Sequence, residues 1–214
     1  MNLILLGAPG AGKGSQAAPL KARLGVPHIS TGDMLREARR SGTDLGRKAA
    51  EYMDSGRLVP DDVVVGLVEE RLARPDASKG FILDGFPRTE AQADALMAML
   101  ERNGRTVDHV VQLDVPEDVL VARLSGRRSC PKCGRPYHVE FTPPKNDNLC
   151  DVCGVELVWR EDDRPESVRQ RLRTYEEQTA PLISYFRNKG LLRPLDGQGS
   201  VDVVLDRVRA VLGG

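Results

Sequence analysis

Aromatic side chains are scarce in this 214-residue chain: Phe, Tyr and Trp together make up 4% of it, against a hydrophobic content of 40%. A core of useful size is affordable, but it must be aliphatic. An excess of either charge is also missing. Lys plus Arg and Asp plus Glu both number 31, for zero formal net charge. That balance argues against a general binder of nucleic acid or membrane surface and leaves room only for a local basic cleft. No apolar run approaches the length that spans a bilayer, which requires roughly 20 residues. Gly7 and Lys13 interrupt the start too early for a signal peptide. The expected compartment is the cytoplasm. There is no internal repeat and no long low-complexity tail. The length suits one α/β domain with an insertion, or two small domains.

What is present begins at once. Asn2 to Leu6 (NLILL) is an apolar run of strand length, followed directly by GAPGAGKGS from Gly7 to Ser15. Gly7, Gly12 and Lys13 fit the G-x-x-x-x-G-K core of a P-loop. Backbone N–H groups reach phosphate oxygens only where no Cβ intervenes, and Gly7, Gly10, Gly12 and Gly14 supply that clearance. Lys13 adds a mobile charge for the β- and γ-phosphates. The stretch from Lys13 to Leu24 suits a helix whose positive end faces the same phosphates. The usual Ser or Thr directly after the Lys is displaced by Gly14 to Ser15, so magnesium should be held less directly, leaving more to other groups.

Further along, Val26 to Ile29 suggests a brief second strand, and Ser30, Thr31 and Asp33 offer caps for a helix. Helices over Asp44–Asp54 and from Pro60 onward complete a strand-poor region, with a helical substrate module over about residues 30–59. Gly80 to Asp84 (GFILD) reads as a buried strand ending in an acid. Ligands collect beyond the carboxyl ends of parallel strands, so Asp84 is expected beside the P-loop, within reach of magnesium. GFPR follows, then a helix from Thr89 on which Gln92 lies one turn beyond Arg88. After a strand over Asp108–Val115, Pro116 should open a helix at its first position. Arg123, Arg127 and Arg128 fall in its last turns, and four-residue spacing would put Arg123 and Arg127 on one face. A long helix is expected from Glu166 to about Lys189, with Val168, Leu172, Tyr175, Ile183 and Phe186 on its buried side and a kink at Pro181. Arg169, Arg171 and Arg173 alternate along it and cannot all face one cleft. Leu191 to Leu195 and Val201 to Leu212 close the chain as strand and helix. The alternation implies a parallel sheet covered on both faces.

Cys130, Cys133, Cys150 and Cys153 use every cysteine in the chain, as C-x2-C-x16-C-x2-C. This is tetrahedral zinc spacing. Four thiolates close the coordination shell, which favours a structural role over a catalytic one. Two disulfides are the weaker alternative in a cytoplasmic protein. From Arg128 to Trp159 the apolar stock is Tyr137, Val139, Phe141, Leu149 and Val155. That is little for an unaided fold, so a metal staple is physically sensible.

These motifs together resemble the adenylate kinase family. The resemblance rests on GAPGAGKGS, STGDMLR (Ser30 to Arg36), RLVPD (Arg57 to Asp61), DGFPRT (Asp84 to Thr89), SGRR (Ser125 to Arg128) and DDRPESVRQRL (Asp162 to Leu172). They keep the family's order and span the chain. The cysteines resemble the zinc-bearing lid of some bacterial members, and GKG followed by a hydroxyl residue is that family's own form of the P-loop, with Ser15 for the commoner Thr. The resemblance implies an α/β P-loop NTPase fold: a five-stranded parallel sheet core (1–29, 60–125 and 165–214), a helical AMP-binding insert (30–59) and a zinc-bearing lid (126–164). It implies reversible, magnesium-dependent phosphoryl transfer from ATP to AMP, giving two ADP, by a monomer with structural zinc.

Residue by residue, the resemblance assigns Gly10, Ala11, Gly12, Lys13, Gly14 and Ser15 to the ATP phosphates. Arg123, Arg127, Pro136, Tyr137 and Gly199 join them on the ATP side. The AMP positions are Thr31, Arg36, Arg57, Leu58, Val59, Gly85, Phe86, Pro87, Arg88 and Gln92, with Thr31 and Gln92 addressing adenine and Arg36 and Arg88 the phosphate. Arg160 and Arg171 reach both phosphoryl groups. Lys13, Arg88, Arg127, Arg160 and Arg171 form an electrostatic cage with no general base. Asp84 serves magnesium indirectly; Cys130, Cys133, Cys150 and Cys153 hold zinc. A UMP/CMP kinase of the same fold is the nearest alternative, disfavoured by Thr31, Gln92 and the long lid. A zinc-ribbon NTPase acting on nucleic acid is disfavoured by the zero net charge and the GFPR motif.

Overall fold

The apolar runs of the sequence become the strands of one parallel sheet, described here from a computed structural model covering residues 1–213. Its strands are β1 (Asn2–Leu6), β2 (His28–Ser30), β3 (Phe81–Asp84), β4 (His109–Asp114) and β7 (Leu192–Asp196), in the order β2-β3-β1-β4-β7. All four pairings are parallel. β1 is therefore central, and its side chains alternate between two aliphatic cores. Ile4 and Leu6 face one side with Ile29, Leu83, Val110 and Phe186. Leu3 and Leu5 face the other with Ile82, Val111, Leu113 and Leu20. Both faces are buried, which is why NLILL and FIL are continuous apolar runs rather than alternating ones. Each such side chain stabilises the fold by about 2 kcal/mol through burial, and truncation of fully buried Leu83 to Ala removes about 2–5 kcal/mol.

The helices follow the expected punctuation. α1 (Lys13–Leu24) runs through Pro19 and ends at Gly25. α2 (Thr31–Arg40) is capped by Ser30, whose hydroxyl accepts from the Asp33 N–H at 3.3 Å. α3 (Asp44–Asp54), α4 (Asp61–Leu72) and α5 (Glu90–Arg102) follow. The second strand lies two residues later than VPHI suggested, because Pro27 can donate nothing to a ladder and pairing starts at His28.

Three expectations are corrected. Pro116 is the cap of α6 (Glu117–Ser125), not its first residue. α6 stops at Ser125, so Arg127 and Arg128 lie in strand β5 (Arg127–Ser129), antiparallel to β6 (Pro136–His138). Arg123 and Arg127 therefore share no helix face. The break falls at Gly126, where a Cβ would sit 2.3 Å from the His138 ring that packs across the turn. Finally, the long helix is two: α7 (Pro165–Thr174), a π-helical turn over Tyr175–Thr179, and α8 (Pro181–Asn188). Pro181 has no N–H for the Glu177 carbonyl; the Ala180 N–H before it reaches the Tyr175 carbonyl at 2.8 Å, the wider π-helical bond, and Pro181 opens α8. Leu182 and, as expected, Phe186 are the fully buried residues there, with Ile183 partly buried against the same core. The closing helix is α9 (Val201–Val211).

Candidate active site

The P-loop leaves the carboxyl end of β1 after Leu6 and enters α1 at Lys13. Gly7 has φ +147°, and a Cβ there would come 2.7 Å from the Leu113 carbonyl, so the loop's descent against β4 requires glycine. Lys13 Nζ donates to the Gly7 carbonyl at 2.6 Å and the Ala8 carbonyl at 2.9 Å, holding the ammonium inside the loop. Burial there, with Arg88, Arg171 and Arg127 nearby, pulls its pKa down to about 8 against the opposing pull of Asp84. Asp84, at the end of β3, lies 3.7 Å from the position a Gly14 Cβ would take, beside the loop as expected. Burial disfavours its charge, but the His28 hydrogen bond and the Lys13 charge outweigh that and keep its pKa below the usual carboxylate value. A buried carboxylate kept charged fits the needs of a hard cation on a phosphate chain.

Arginines converge in front of the loop from four elements. Arg127 in β5 makes a two-pronged contact with Asp163, donating from Nε to Oδ2 at 2.7 Å and from Nη2 to Oδ1. Arg171 in α7 donates to the same Asp163 at 3.1 Å and pairs with Asp162 at 3.2 Å. Arg169 and Arg173 of the same helix stay exposed. Arg88 Nε donates to the Gly85 carbonyl at 2.8 Å. Burial lowers the Arg88 pKa to about 10, with Arg171 adding to the effect. Burial likewise brings Arg160 to about 10, helped by Arg36 and Arg127. The Arg160 guanidinium makes no hydrogen bond among the described residues. So much concentrated positive charge is unfavourable by itself and becomes favourable when a polyanion arrives.

Behind Arg88 opens a narrow cleft that is partly open to solvent. Thr31, Arg36, Arg57, Leu58, Val59, Gly85, Arg88 and Gln92 line it, with Arg171 at its mouth. The scattered acceptor-side positions thus come together in one place. Phe86 is buried in the core behind it. Arg36 is steered by Asp33 at 2.6 Å, and Thr31 Oγ1 donates to the Gly85 carbonyl at 2.8 Å. Arg123 lies elsewhere: it donates to the Gly197 carbonyl at 3.3 and 3.2 Å, near Gly199 at the carboxyl end of β7. The residues expected on the ATP side are therefore spread between the loop, this sheet edge and, for Pro136 and Tyr137, strand β6.

In the segment between β5 and α7 the four cysteine sulfurs lie within 4.8 Å of one another, all reduced. Cys133 and Cys150 sulfurs are 3.7 Å apart, too far for a disulfide and close to the ~3.8 Å tetrahedral edge that a Zn–S bond of ~2.3 Å gives. The Tyr137 hydroxyl, 3.5 Å from the Cys150 sulfur, draws that thiol down to about 6. The residues fit a metal. The expected apolar stock is corrected here. Only Tyr137 and Val155 pack in this segment, with Leu157 and the cysteines, while Val139 and Phe141 are 51% and 60% exposed. The ring of Tyr137 is therefore committed to the cysteine cluster, which leaves only its backbone for a nucleotide. Trp159 holds the segment's two connections together, with Arg128 5.1 Å and Arg164 5.7 Å from its ring centre. Arg40 of α2 reaches the Pro131 carbonyl at 3.1 Å, so the insert and this segment touch.

Sequence reasoning missed the acidic partners. Asp162, Asp163 and Asp33 aim the cationic groups, while His28 holds the Asp84 carboxylate, and Asp163 is fully buried. The one available signal was DD immediately before RPESVRQR: two acids with no apolar neighbours beside a helix rich in arginine.

Comparisons with known proteins agree with this geometry. A family model described as adenylate kinase matches residues 5–191. A protein named adenylate kinase from Archaeoglobus fulgidus is 55% identical over 212 residues, 99% of this chain and 98% of that one. Others with the same name are 56% identical in Geobacter sp. (strain M21), covering 99% of both chains, and 54% identical in Syntrophobacter fumaroxidans, covering 100% of both.

Proposed function

The chain belongs to the adenylate kinase family, and from that premise we propose how its own residues divide the work. The reaction is reversible transfer of the ATP γ-phosphoryl group to AMP, giving two ADP. One observation carries the assignment: the arginine cluster joins the P-loop to the cleft, with Arg88 and Arg171 lining the cleft while their charges act on Lys13. A donor phosphate in the loop and an acceptor phosphate in the cleft would meet between them.

Gly10 to Ser15 hold the donor phosphates through backbone N–H groups, and Lys13 follows the β- and γ-phosphates. Arg123 and Gly199 serve the distal part of ATP, with Pro136 and the Tyr137 backbone covering it. Arg36 and Arg88 hold the AMP phosphate; Thr31, Gln92 and the Arg57–Val59 backbone hold its nucleoside. Arg127, Arg160 and Arg171 stabilise charge on the moving group. Phosphoryl transfer asks the protein for alignment and charge stabilisation more than for covalent help, so no general base is required. Magnesium enters with ATP and neutralises its phosphates; Asp84 would orient its water shell. Zinc, held by Cys130, Cys133, Cys150 and Cys153, would make the lid a rigid unit.

The division into a core (1–29, 60–125, 165–214), an insert (30–59) and a lid (126–164) follows from the same reading. The insert and lid close over their nucleotides and exclude water, which would otherwise take the phosphoryl group. The protein acts as a cytoplasmic monomer; no helix among the described residues is long and apolar enough to cross a membrane. The test is ADP formation from ATP with AMP, UMP, CMP, GMP or DNA supplied singly. AMP alone should support rapid turnover. Equal rates with UMP or CMP would overturn the acceptor assignment, and stimulation by DNA would overturn the class.

A further inference from the structure

The Gln92 side chain is 1% exposed, yet it lines the acceptor cleft, and two neighbours fix which way round its amide sits. The Arg88 backbone N–H donates to Oε1 at 2.8 Å. On the other side Nε2 donates to Asp61 Oδ1 at 2.7 Å. A backbone N–H can only donate and a carboxylate accepts, so both neighbours demand the same orientation. Asp61 is itself held: its Oδ2 accepts from Thr89 Oγ1 at 2.8 Å, and that oxygen accepts from the Gln92 N–H at 3.1 Å.

We propose that Asp61 is a specificity-positioning residue, locking the Gln92 amide in the orientation that accepts a 6-amino purine and rejects a 6-oxo purine. The proposal rests on the reading of Gln92 as the contact to the acceptor base. An amide has two N–H donors and two acceptor lone pairs. With one of each committed to Asp61 and Arg88, one donor and one acceptor remain for a ligand, in a fixed spatial order. Adenine offers the complement, an amino donor beside a ring-nitrogen acceptor. Hypoxanthine and guanine reverse this at the same edge, with a 6-oxo acceptor beside an N1–H donor. The acceptor phosphate is anchored separately by arginine, so the base cannot turn over to compensate. An unlocked amide would flip and take either base. A locked one can flip only by setting two donors against each other at Arg88 and two acceptors at Asp61, and unpaired buried polar groups are what make such discrimination large.

Asp61→Asn keeps the shape but can present either an oxygen or an N–H to Gln92, which leaves one lock of the two. The ratio of kcat/KM for AMP over IMP should fall about tenfold, with the KM for ATP and the melting temperature near those of the unaltered protein. An unchanged ratio, or an equal loss for both monophosphates, would overturn the proposal. Gln92→Ala separates the two layers. If it leaves the ratio intact, Gln92 does not read the base and the underlying reading fails; if it collapses the ratio while Asp61→Asn does not, only the locking role fails. Should the Asn variant fold poorly, the side-chain amide resonance of Gln92 in the full-length wild-type protein carries the test. AMP should shift it strongly, whereas IMP at the same occupancy should not, and equal shifts refute the lock.

Discussion

The two halves of the site are built in opposite ways. The proposed donor half is one continuous stretch, Gly7 to Ser15, whose recognition groups would be backbone N–H, fixed by the descent from β1 into α1. The proposed acceptor half is assembled from α2, the Arg57–Val59 turn, the end of β3 and α5, and it would recognise through long side chains that need their own partners. Three of its cations are aimed by a partner: Arg36 by Asp33, Arg88 by the Gly85 carbonyl, Arg171 by Asp162 and Asp163. A backbone cradle is rigid by construction; a side-chain cradle is only as precise as the groups behind it. Substitutions should therefore fail differently in the two halves.

The largest difference is expected at Arg88. Arg88→Ala removes a buried guanidinium from the junction and should lower kcat about 10³-fold, the scale of an arginine acting on a transferring phosphoryl group. ATP affinity, measured directly by titration, should change less than about threefold, because the donor cradle is untouched. Near-normal turnover would remove Arg88 from the cage. Gly7→Ala tests the other half. The new Cβ would press on the Leu113 carbonyl at 2.7 Å and tilt the loop. Misplacement of that kind should cost about 10²-fold in kcat/KM for ATP, with AMP affinity preserved; an equal loss for both nucleotides would mean that the halves are not independent.

A third contrast lies in pH. Burial holds free Lys13 at about 8, so its ammonium is present below that value and lost above it. The kcat/KM for ATP, which reports the free enzyme, should decline above about pH 8, approaching tenfold per unit. At saturating ATP the polyphosphate restores the charge, so kcat should stay flatter. Arg88 and Arg160, at about 10, keep their charge across this window, and kcat/KM for AMP measured with ATP bound should hold. Parallel profiles for the two substrates would break the contrast.

The same asymmetry governs what could be read from the sequence. The donor half was legible because its determinants are contiguous: strand, glycines and lysine in fixed order. The sheet was legible too, since NLILL, FILD and HVVQLD are long enough to show burial on both faces. The acceptor half was legible only through family resemblance, because no local pattern says that Arg36, Arg88 and Gln92 meet. Arg123 and Arg127 show the limit of spacing arguments. Four residues apart means one face only while the helix lasts, and it ends at Ser125, where the close approach of His138 to Gly126 turns the chain. Asp61 was invisible for a related reason: its reach to Gln92 across 31 positions depends on how α4 and α5 pack.

The lid is a third way of building, and it yields the smallest expected effect on chemistry. Its buried apolar cluster is Cys130, Tyr137, Cys150 and Leu157, against two large aliphatic cores in the rest of the chain. Ordering each residue costs about 1–2 kcal/mol in backbone entropy, so an apolar cluster this small holds the segment poorly unaided, and the four clustered thiols offer a metal the means to staple it. Removing zinc with a chelator should lower the melting temperature by about 10 °C, since about 2–4 °C accompany each kcal/mol for a chain of this size. The arginines at stake sit at the lid's edges: Arg127 is clamped by buried Asp163, and Arg160 adjoins Trp159. At low temperature, where the apo lid stays folded, turnover should therefore remain within a few-fold of the zinc-loaded protein. Loss of turnover with the melting temperature intact would mean that the metal acts on the reaction itself, which a closed set of four thiolates gives it no open position to do.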